Sequence, residues 1–353
     1  MLSFKMVNVG IIGATGYTGE ELISSLLRHP EVRITYLAAK IDKSTKISEI
    51  FPRFKNRIKL TCQPLDIDLA ISSCDLLFLA LPHTVSMDVV PRLLKANRRV
   101  IDLSADYRIP NVKIYEKFYN KKHSDTGNLQ KAVYGLPEIY RAKIKKASLV
   151  ANPGCFPTAA ILGLAPLIAC RDHRAVEAII IDAITGVTGA GRRALLEYSF
   201  CEINQDAYAY RINAHQHAPE IEQELSKLAT RSIRITFVPH LVSIERGILE
   251  TIYVKYNQKG KIPAAGGKYQ RLTELYEKFY QKEPFVRIKQ AGESVRLKDV
   301  LRTNLCDIAL RYFAQDNLII VTTAIDNLGK GAAGQAVQNM NIMYGFPEQA
   351  ALI

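Results

Sequence analysis

Through the first half of the chain, compact apolar runs of strand length alternate with stretches whose apolar residues recur every three or four positions. The runs are Val7 to Ile12, Ile34 to Ala39, Leu76 to Leu81, Val100 to Leu103 and Ser148 to Ala151. Leu22, Ile23, Leu26 and Leu27 fall at helical spacing and predict a helix that begins near Thr18. Strand and helix in alternation predict an α/β domain on a parallel, doubly wound sheet. Beyond a further helix whose first turn holds Pro157, the pattern changes. Longer strands are predicted at Val176 to Ile184, Ile235 to Pro239, Ile248 to Tyr256, Leu305 to Tyr312 and Leu318 to Ala324. The Gln315-Asp316-Asn317 turn separates the last two by a hairpin distance. This half is predicted to be an α+β domain with a mixed, largely antiparallel sheet, and a glycine- and alanine-rich helix from about Gly331 to Tyr344 closes the chain.

Composition narrows the class. The 353 residues exceed one typical domain and predict two, and apolar and charged shares of 48% and 23% are those of a soluble globular protein. No apolar run reaches the ~20 residues that span a bilayer, and Met1 to Met6 is too short and polar for a signal peptide, so the expectation is a cytoplasmic protein with no membrane partner. Cys62, Cys74, Cys155, Cys170, Cys201 and Cys306 are scattered, with no CxxC pair, which predicts reduced thiols. The net charge of +13 raises the question of nucleic acid. Lys and Arg are spread along the chain, clustering only briefly near Lys143 to Lys146, and no nucleic-acid motif accompanies them. The expectation is a solvated surface tuned to an anionic cofactor and substrate, with no nucleic-acid partner.

Candidate chemistry sits at two turns and one histidine pair. Directly after the first apolar run comes Gly13-Ala14-Thr15-Gly16-Tyr17-Thr18-Gly19. Between a strand and a helix, glycines at this spacing let the backbone approach a pyrophosphate whose charge meets the helix start, which predicts a Rossmann-type dinucleotide site. An NAD site calls for Asp or Glu at the end of the second strand, to bond the ribose 2′-hydroxyl. Here that end reads Ala38-Ala39-Lys40, with Lys43 nearby, which favours the 2′-phosphate of NADP(H).

The second turn is Asn152-Pro153-Gly154-Cys155-Phe156-Pro157-Thr158, which puts a thiol where a buried strand turns into a helix. Unpaired N–H groups there carry roughly half a unit of positive charge. They favour thiolate over thiol relative to the free value of ~8.5, and they can hold an oxyanion. Most free cysteines are small buried apolar residues, but a core filler needs no Pro-Gly before it and Pro-Thr after it. In His215-Gln216-His217-Ala218-Pro219-Glu220-Ile221, two histidines precede a helix that begins near Pro219 and turns Ile221, Leu225 and Leu228 inward. A histidine at a helix start is discouraged from charging and can act as a base near neutral pH. A capping role for one of the pair is the bland alternative. Metal ligation is the other, though no third or fourth ligand declares itself. Thiol, histidine and nicotinamide together point to attack on an acyl phosphate, a thioester, and hydride reduction to an aldehyde.

These motifs make the chain resemble the N-acetyl-gamma-glutamyl-phosphate reductases, relatives of aspartate-semialdehyde dehydrogenase, almost end to end. Besides the two turns and the histidine stretch, the resemblance runs through Ala80-Leu81-Pro82-His83, Asp102 to Arg108, Gly186 to Arg192, and Asp326-Asn327-Leu328 leading into Lys330 to Gln335. It implies an NADP-binding Rossmann domain over 1–154, rejoined by about 327–353, and a catalytic, substrate and dimerisation domain over 155–326. It implies Cys155 as nucleophile, His217 or His215 as acid/base, and Tyr210 close to the substrate. Gly13 to Gly19 would hold the NADP pyrophosphate, and Pro82, Ser104, Gly189 and Asn327 would lie along the cofactor. Arg108 and Arg192 would meet the substrate's anionic groups. The implied activity is NADPH-dependent reduction of N-acetyl-glutamyl 5-phosphate in arginine biosynthesis, by a homo-oligomer, dimer or tetramer. A carrier-protein-linked acyl phosphate is the nearest alternative, and a non-catalytic NADP- or nucleic-acid-binding protein the alternative from another class. Two departures stand out: Thr84 where the family usually has glycine, and Gln216 where it commonly has arginine.

Overall fold

The computed structural model describes residues 6–257 and 269–353. The chain groups into two compact units, 1–153 with 332–353, and 154–331.

In the first unit β1 (Val7–Ile12), β2 (Val32–Ala38), β3 (Thr45–Lys46), β4 (Thr61–Gln63), β5 (Leu76–Leu79), β6 (Arg99–Asp102), β7 (Val133–Tyr134) and β8 (Leu149–Ala151) form one sheet, ordered β3-β4-β2-β1-β5-β6-β8-β7. Neighbours run parallel except β3 and β4. A parallel sheet is covered on both faces, which is why β5 is apolar and buried at every position. The Tyr17–Leu26 and Gly334–Tyr344 helices cover one face with Leu22, Ile23, Leu26, Val337 and Met340. The Ser86–Lys95 and Val112–Tyr119 helices cover the other with Met87, Val90, Leu93 and Tyr115. Each such side chain contributes about 1.5–3 kcal/mol by leaving water. The strand order reverses between β1 and β5, and ligands of doubly wound sheets bind beyond the carboxyl ends of strands at such a point.

In the second unit β9 (Val176–Thr185), β10 (Ala207–Ala209), β11 (Thr236–Val242), β12 (Ile248–Tyr256), β13 (Val286–Ile288), β14 (Cys306–Phe313) and β15 (Leu318–Ile325) form a mixed sheet, ordered β10-β11-β9-β12-β15-β14-β13. Its long central pairs, β9 with β12, β12 with β15 and β14 with β15, are antiparallel. The Cys155–Ala169 helix lies on this sheet and approaches it closely at Gly163, where a Cβ would stand 2.7 Å from Thr323 Cγ2. Pro166 removes the N–H that the Leu162 carbonyl would accept. The Tyr280 hydroxyl replaces it, donating to Leu162 O at 2.5 Å, and the Tyr276 hydroxyl donates to Gly163 O at 2.6 Å. A proline is thereby tolerated inside a buried helix.

Most predicted strands lie within one or two residues of their observed bounds, and three differences stand out. Asn327 to Gly331 group with the second unit, because Asn327 accepts the Gly247 N–H at 2.7 Å and the neighbouring buried Asp326 pairs with Arg246 at 2.8 Å. A π-turn at Gly329–Ala333 precedes the closing helix, which begins at Gly334. Leu228 is half-buried rather than core, while Ile221 and Leu225 are fully buried.

Candidate active site

Cys155 is the first residue of its helix, and the preceding Gly154 offers no side-chain cap. Three hydrogen bonds lock Gly154 in place. Its N–H donates to Glu220 Oε1 at 2.8 Å, and its carbonyl accepts from the Thr158 N–H and hydroxyl, both at 2.9 Å. Glu220 is completely buried in the first turn of the Ala218–Ala229 helix, so one helix start holds the turn that begins the other. Sequence reasoning read this stretch for its histidines and passed over Glu220, although a carboxylate three residues after His217 was the available signal.

The two histidines face different surroundings. A Cβ at Gly154 would stand 2.6 Å from His217 Nε2, so the His217 ring rests on the Gly154 backbone beside the cysteine. His215 Nδ1 accepts the His217 N–H at 3.1 Å, which assigns the proton of a neutral His215 to Nε2. Aromatic edges hold both rings: Phe156 lies 5.6 Å from His215 and 5.9 Å from His217, centroid to centroid. Phe237 and Tyr210 flank His215 at 5.5 and 5.6 Å. Tyr210 feels the cysteine directly, since burial first and then the Cys155 charge push its phenol upward. Gly331 closes another side, where a Cβ would stand 2.8 Å from Cys155 Cβ. Gln216 accepts a hydrogen bond from exposed Arg211 at 2.7 Å, so a guanidinium is present beside the histidines although position 216 does not supply it.

Further along the same unit, Gly189 stands exposed in a turn, with only Thr185 Oγ1 near its Cβ position, at 3.7 Å. The Asn327 side chain donates to Thr188 Oγ1 at 3.0 Å as well as accepting from Gly247, so its amide braces this turn. Arg192 is exposed just beyond it. Among the described residues no group of three or more His, Cys, Asp or Glu side chains gathers at metal-binding distance.

In the first unit, the glycine loop joins β1 to its helix at the point where the strand order reverses. Gly13 has φ +94°, and a Cβ there would stand 2.1 Å from the Ala80 carbonyl oxygen, so only glycine fits. A Cβ at Gly19 would meet Gly13 O at 2.3 Å, whereas at Gly16 it meets only that oxygen at 3.5 Å. The Gly13 and Ala14 N–H groups both donate to Ala38 O, at 2.8 and 3.0 Å, which seats the loop on the end of β2. Exposed Lys40 follows at once, with no carboxylate among Ala38, Ala39 and Lys40. A helix start with no side-chain cap, an uncrowded Gly16 and a lysine at the strand end fit an NADP-type dinucleotide.

The loops beyond β5 and β6 form a buried acidic network. Asp102 accepts from the Ser86 and Ser104 hydroxyls, both at 2.7 Å, and burial followed by the charge of Asp106 pushes its carboxyl up to about 6. Asp106 accepts from the Tyr115 hydroxyl at 2.8 Å and from the Thr84 and Ser86 N–H groups at 2.6 and 2.9 Å. Thr84 thereby adopts φ +72°, a conformation costly for a β-branched residue and natural for glycine. Pro82 is exposed in this loop, and Ser104 is fully buried. Arg108 is 5% exposed, its Nε donating to the Asn152 carbonyl and its Nη2 to the Leu103 carbonyl, each at 2.7 Å. It ties the end of β6 to the end of β8.

Comparison with known proteins identifies the class first. The model of the semialdehyde dehydrogenase NAD binding domain matches residues 8–147, and that of the semialdehyde dehydrogenase dimerisation domain matches residues 155–327. Aspartate semialdehyde dehydrogenase II from Vibrio cholerae shares the fold, with a TM-score of 0.69 at 18% identity, over 96% of this chain and 98% of that one. The enzyme from Candida albicans, solved with NADP, has a TM-score of 0.66 at 15% identity, over 98% and 99%. Proteins named N-acetyl-gamma-glutamyl-phosphate reductase are far nearer in sequence. That of Geobacter metallireducens is 47% identical, and that of Acetivibrio thermocellus 44%, each over 98% of both chains. The chain belongs to the N-acetyl-gamma-glutamyl-phosphate reductase family.

Proposed function

We propose that the chain reduces N-acetyl-L-glutamyl 5-phosphate to N-acetyl-L-glutamate 5-semialdehyde and phosphate with NADPH, through a thioester on Cys155, as a step of arginine biosynthesis. The observation that carries this reading is His217 Nε2 seated on the Gly154 backbone, immediately before a cysteine at an uncapped helix start. The Cys155 sulfur attacks the acyl carbon. A C–S bond forms as the C–O bond to phosphate breaks, and phosphate leaves with the electron pair. Backbone N–H groups of the helix start stabilise the oxyanion that develops. NADPH, when bound, supplies the hydride that converts a thioester into an aldehyde. His217 gives its proton to the carbonyl oxygen as charge builds there, and takes it back as the C–S bond breaks and the thiolate returns. His215 serves as a positioning residue, accepting the His217 N–H.

Tyr210 and Arg192 are assigned to the substrate, and Arg108 to holding the strand ends that lead into the cysteine turn. Gly13 to Gly19 and Lys40 are assigned to the pyrophosphate and the 2′-phosphate, and Pro82, Ser104, Gly189 and Asn327 to the walls of the cofactor site. We further assign the outer face of the second sheet to a second copy of the chain, in a cytoplasmic homo-oligomer. On that face Tyr253 lies between Ile180 and Ile320 across adjacent strands, and Ile180 is 42% exposed. No helix among the described residues is long and apolar enough to cross a membrane.

The test is the reverse reaction, phosphate-dependent reduction of NADP with N-acetyl-glutamate semialdehyde beside aspartate semialdehyde. Activity with the acetylated aldehyde alone supports the assignment. Inactivity with it in a protein that binds NADPH would overturn the assigned substrate.

A further inference from the structure

We infer that the first unit carries a second anion site, at the end of its sheet opposite the glycine loop, for a small polyanion such as a metabolite bearing two or more phosphate or carboxylate groups. A cavity of about 690 Å³ lies at the amino ends of β6, β7 and β8. Arg98, Arg99, Lys131, Lys143 and Lys146 line it, and no carboxylate does. Among the described residues none of these five forms an ion pair. Arg98 Nε is buried and accepted by no partner. The neighbouring carboxylates accept hydrogen bonds from neutral groups and form no ion pair with these five. Asp75 accepts the Asn8 N–H at 2.9 Å, and Asp125 accepts from the Tyr107 hydroxyl at 2.7 Å and from Asn128.

Helix ends account for part of this charge, and magnitudes show how much. The Ser86–Lys95, Thr126–Leu129 and Pro137–Ile144 helices end around the cavity, and Arg99 donates to Met343 O at the end of the Gly334–Tyr344 helix. Four helix ends at roughly half a unit each offset at most about two of the five positive charges. About three remain around one concavity, with Arg99 lying over the Tyr344 ring at 4.6 Å and Lys143 over the Tyr140 ring at 5.4 Å. The volume is that of a small-molecule site, and Leu94, Val133, Ala147 and Leu149 supply an apolar floor. The cluster at Lys143 to Lys146, read from sequence as solvated surface, is one rim of this cavity.

Isothermal titration of the full-length protein with tripolyphosphate, at 0.15 M salt and with NADPH saturating so that the cofactor site is occupied, tests the inference. A triple variant, Lys131→Gln, Lys143→Gln and Lys146→Gln, alters only exposed side chains. Wild type is expected to bind tripolyphosphate at least about tenfold more tightly than inorganic phosphate, and the triple variant to lose at least about tenfold while its KM for NADPH is unchanged. Equal affinity in the variant, no binding by wild type, or equal binding of inorganic phosphate would overturn the site. A duplex oligonucleotide bound more tightly than tripolyphosphate, and lost in the same variant, would overturn it in favour of nucleic acid.

Discussion

Gly16 and Gly154 occupy the same place in the two units, each preceding a helix start with no side-chain cap, and their backbones nearly match. Gly16 has φ −74° and ψ 166°, and Gly154 has φ −65° and ψ 155°. What lies over them differs. Gly16 has room for a Cβ, which would meet only Gly13 O at 3.5 Å, whereas a Cβ at Gly154 would stand 2.6 Å from His217 Nε2. One backbone device thus serves two ends. In the proposed function, the device with space left over it receives the phosphates of a bound cofactor. With an imidazole set on it, the device is proposed to present a sulfur to a reacting carbonyl.

The comparison is broken most sharply by adding one methyl group at each glycine. Gly154→Ala displaces His217 and is expected to lower kcat by about 10², since misplacement of ~1 Å costs about that much, while NADPH affinity stays as it was. Gly16→Ala is expected to leave kcat within about twofold and raise the KM for NADPH by about tenfold. Steady-state kinetics on both variants, with NADPH titrated by fluorescence, separate the two. A similar loss of cofactor affinity in both would erase the distinction.

Stability also divides by unit. Glu250, on the central strand β12, is completely buried, and neither carboxylate oxygen has a hydrogen-bond partner. Burial raises its carboxyl well above the ordinary value. A group raised in the folded state favours folding in its protonated form. Its contribution is therefore full below the unfolded value near ~4.3 and is lost as pH rises toward the folded one, at up to about 1.4 kcal/mol per pH unit. Glu250→Gln is expected to gain stability over wild type as pH rises from 5 to 8 in denaturant titrations; a pH-independent difference would contradict this. In the first unit, Thr84→Gly relieves the positive φ and is expected to add about 1 kcal/mol, raising the unfolding midpoint by about 2–4 °C. An unchanged or lower midpoint would show that the Thr84 backbone is not strained.

How much was legible follows from how local each feature is. The cysteine turn and the glycine loop are strand-to-helix junctions written in consecutive residues, and both were readable with their neighbours. Glu220 was not, because its hydrogen bond to Gly154 spans 66 residues of sequence. Arg108's part in joining β6 to β8 was hidden for the same reason. Its Nε donates to the carbonyl of Asn152, 44 residues away. The basic cavity escaped because its cations come from three separate segments that only the sheet brings together. Thr84 was visible as a departure, but its cost became readable only with the backbone angle.

The central claim is that Cys155 carries the acyl group, and intact-protein mass spectrometry after mixing with N-acetyl-glutamyl phosphate in the absence of NADPH tests it most directly. The account predicts a mass increase of one N-acetyl-glutamyl group in wild type, mapped by proteolysis to the peptide containing Cys155, discharged on addition of NADPH and absent from Cys155→Ala. An adduct on another residue, or full turnover by Cys155→Ala, would contradict it.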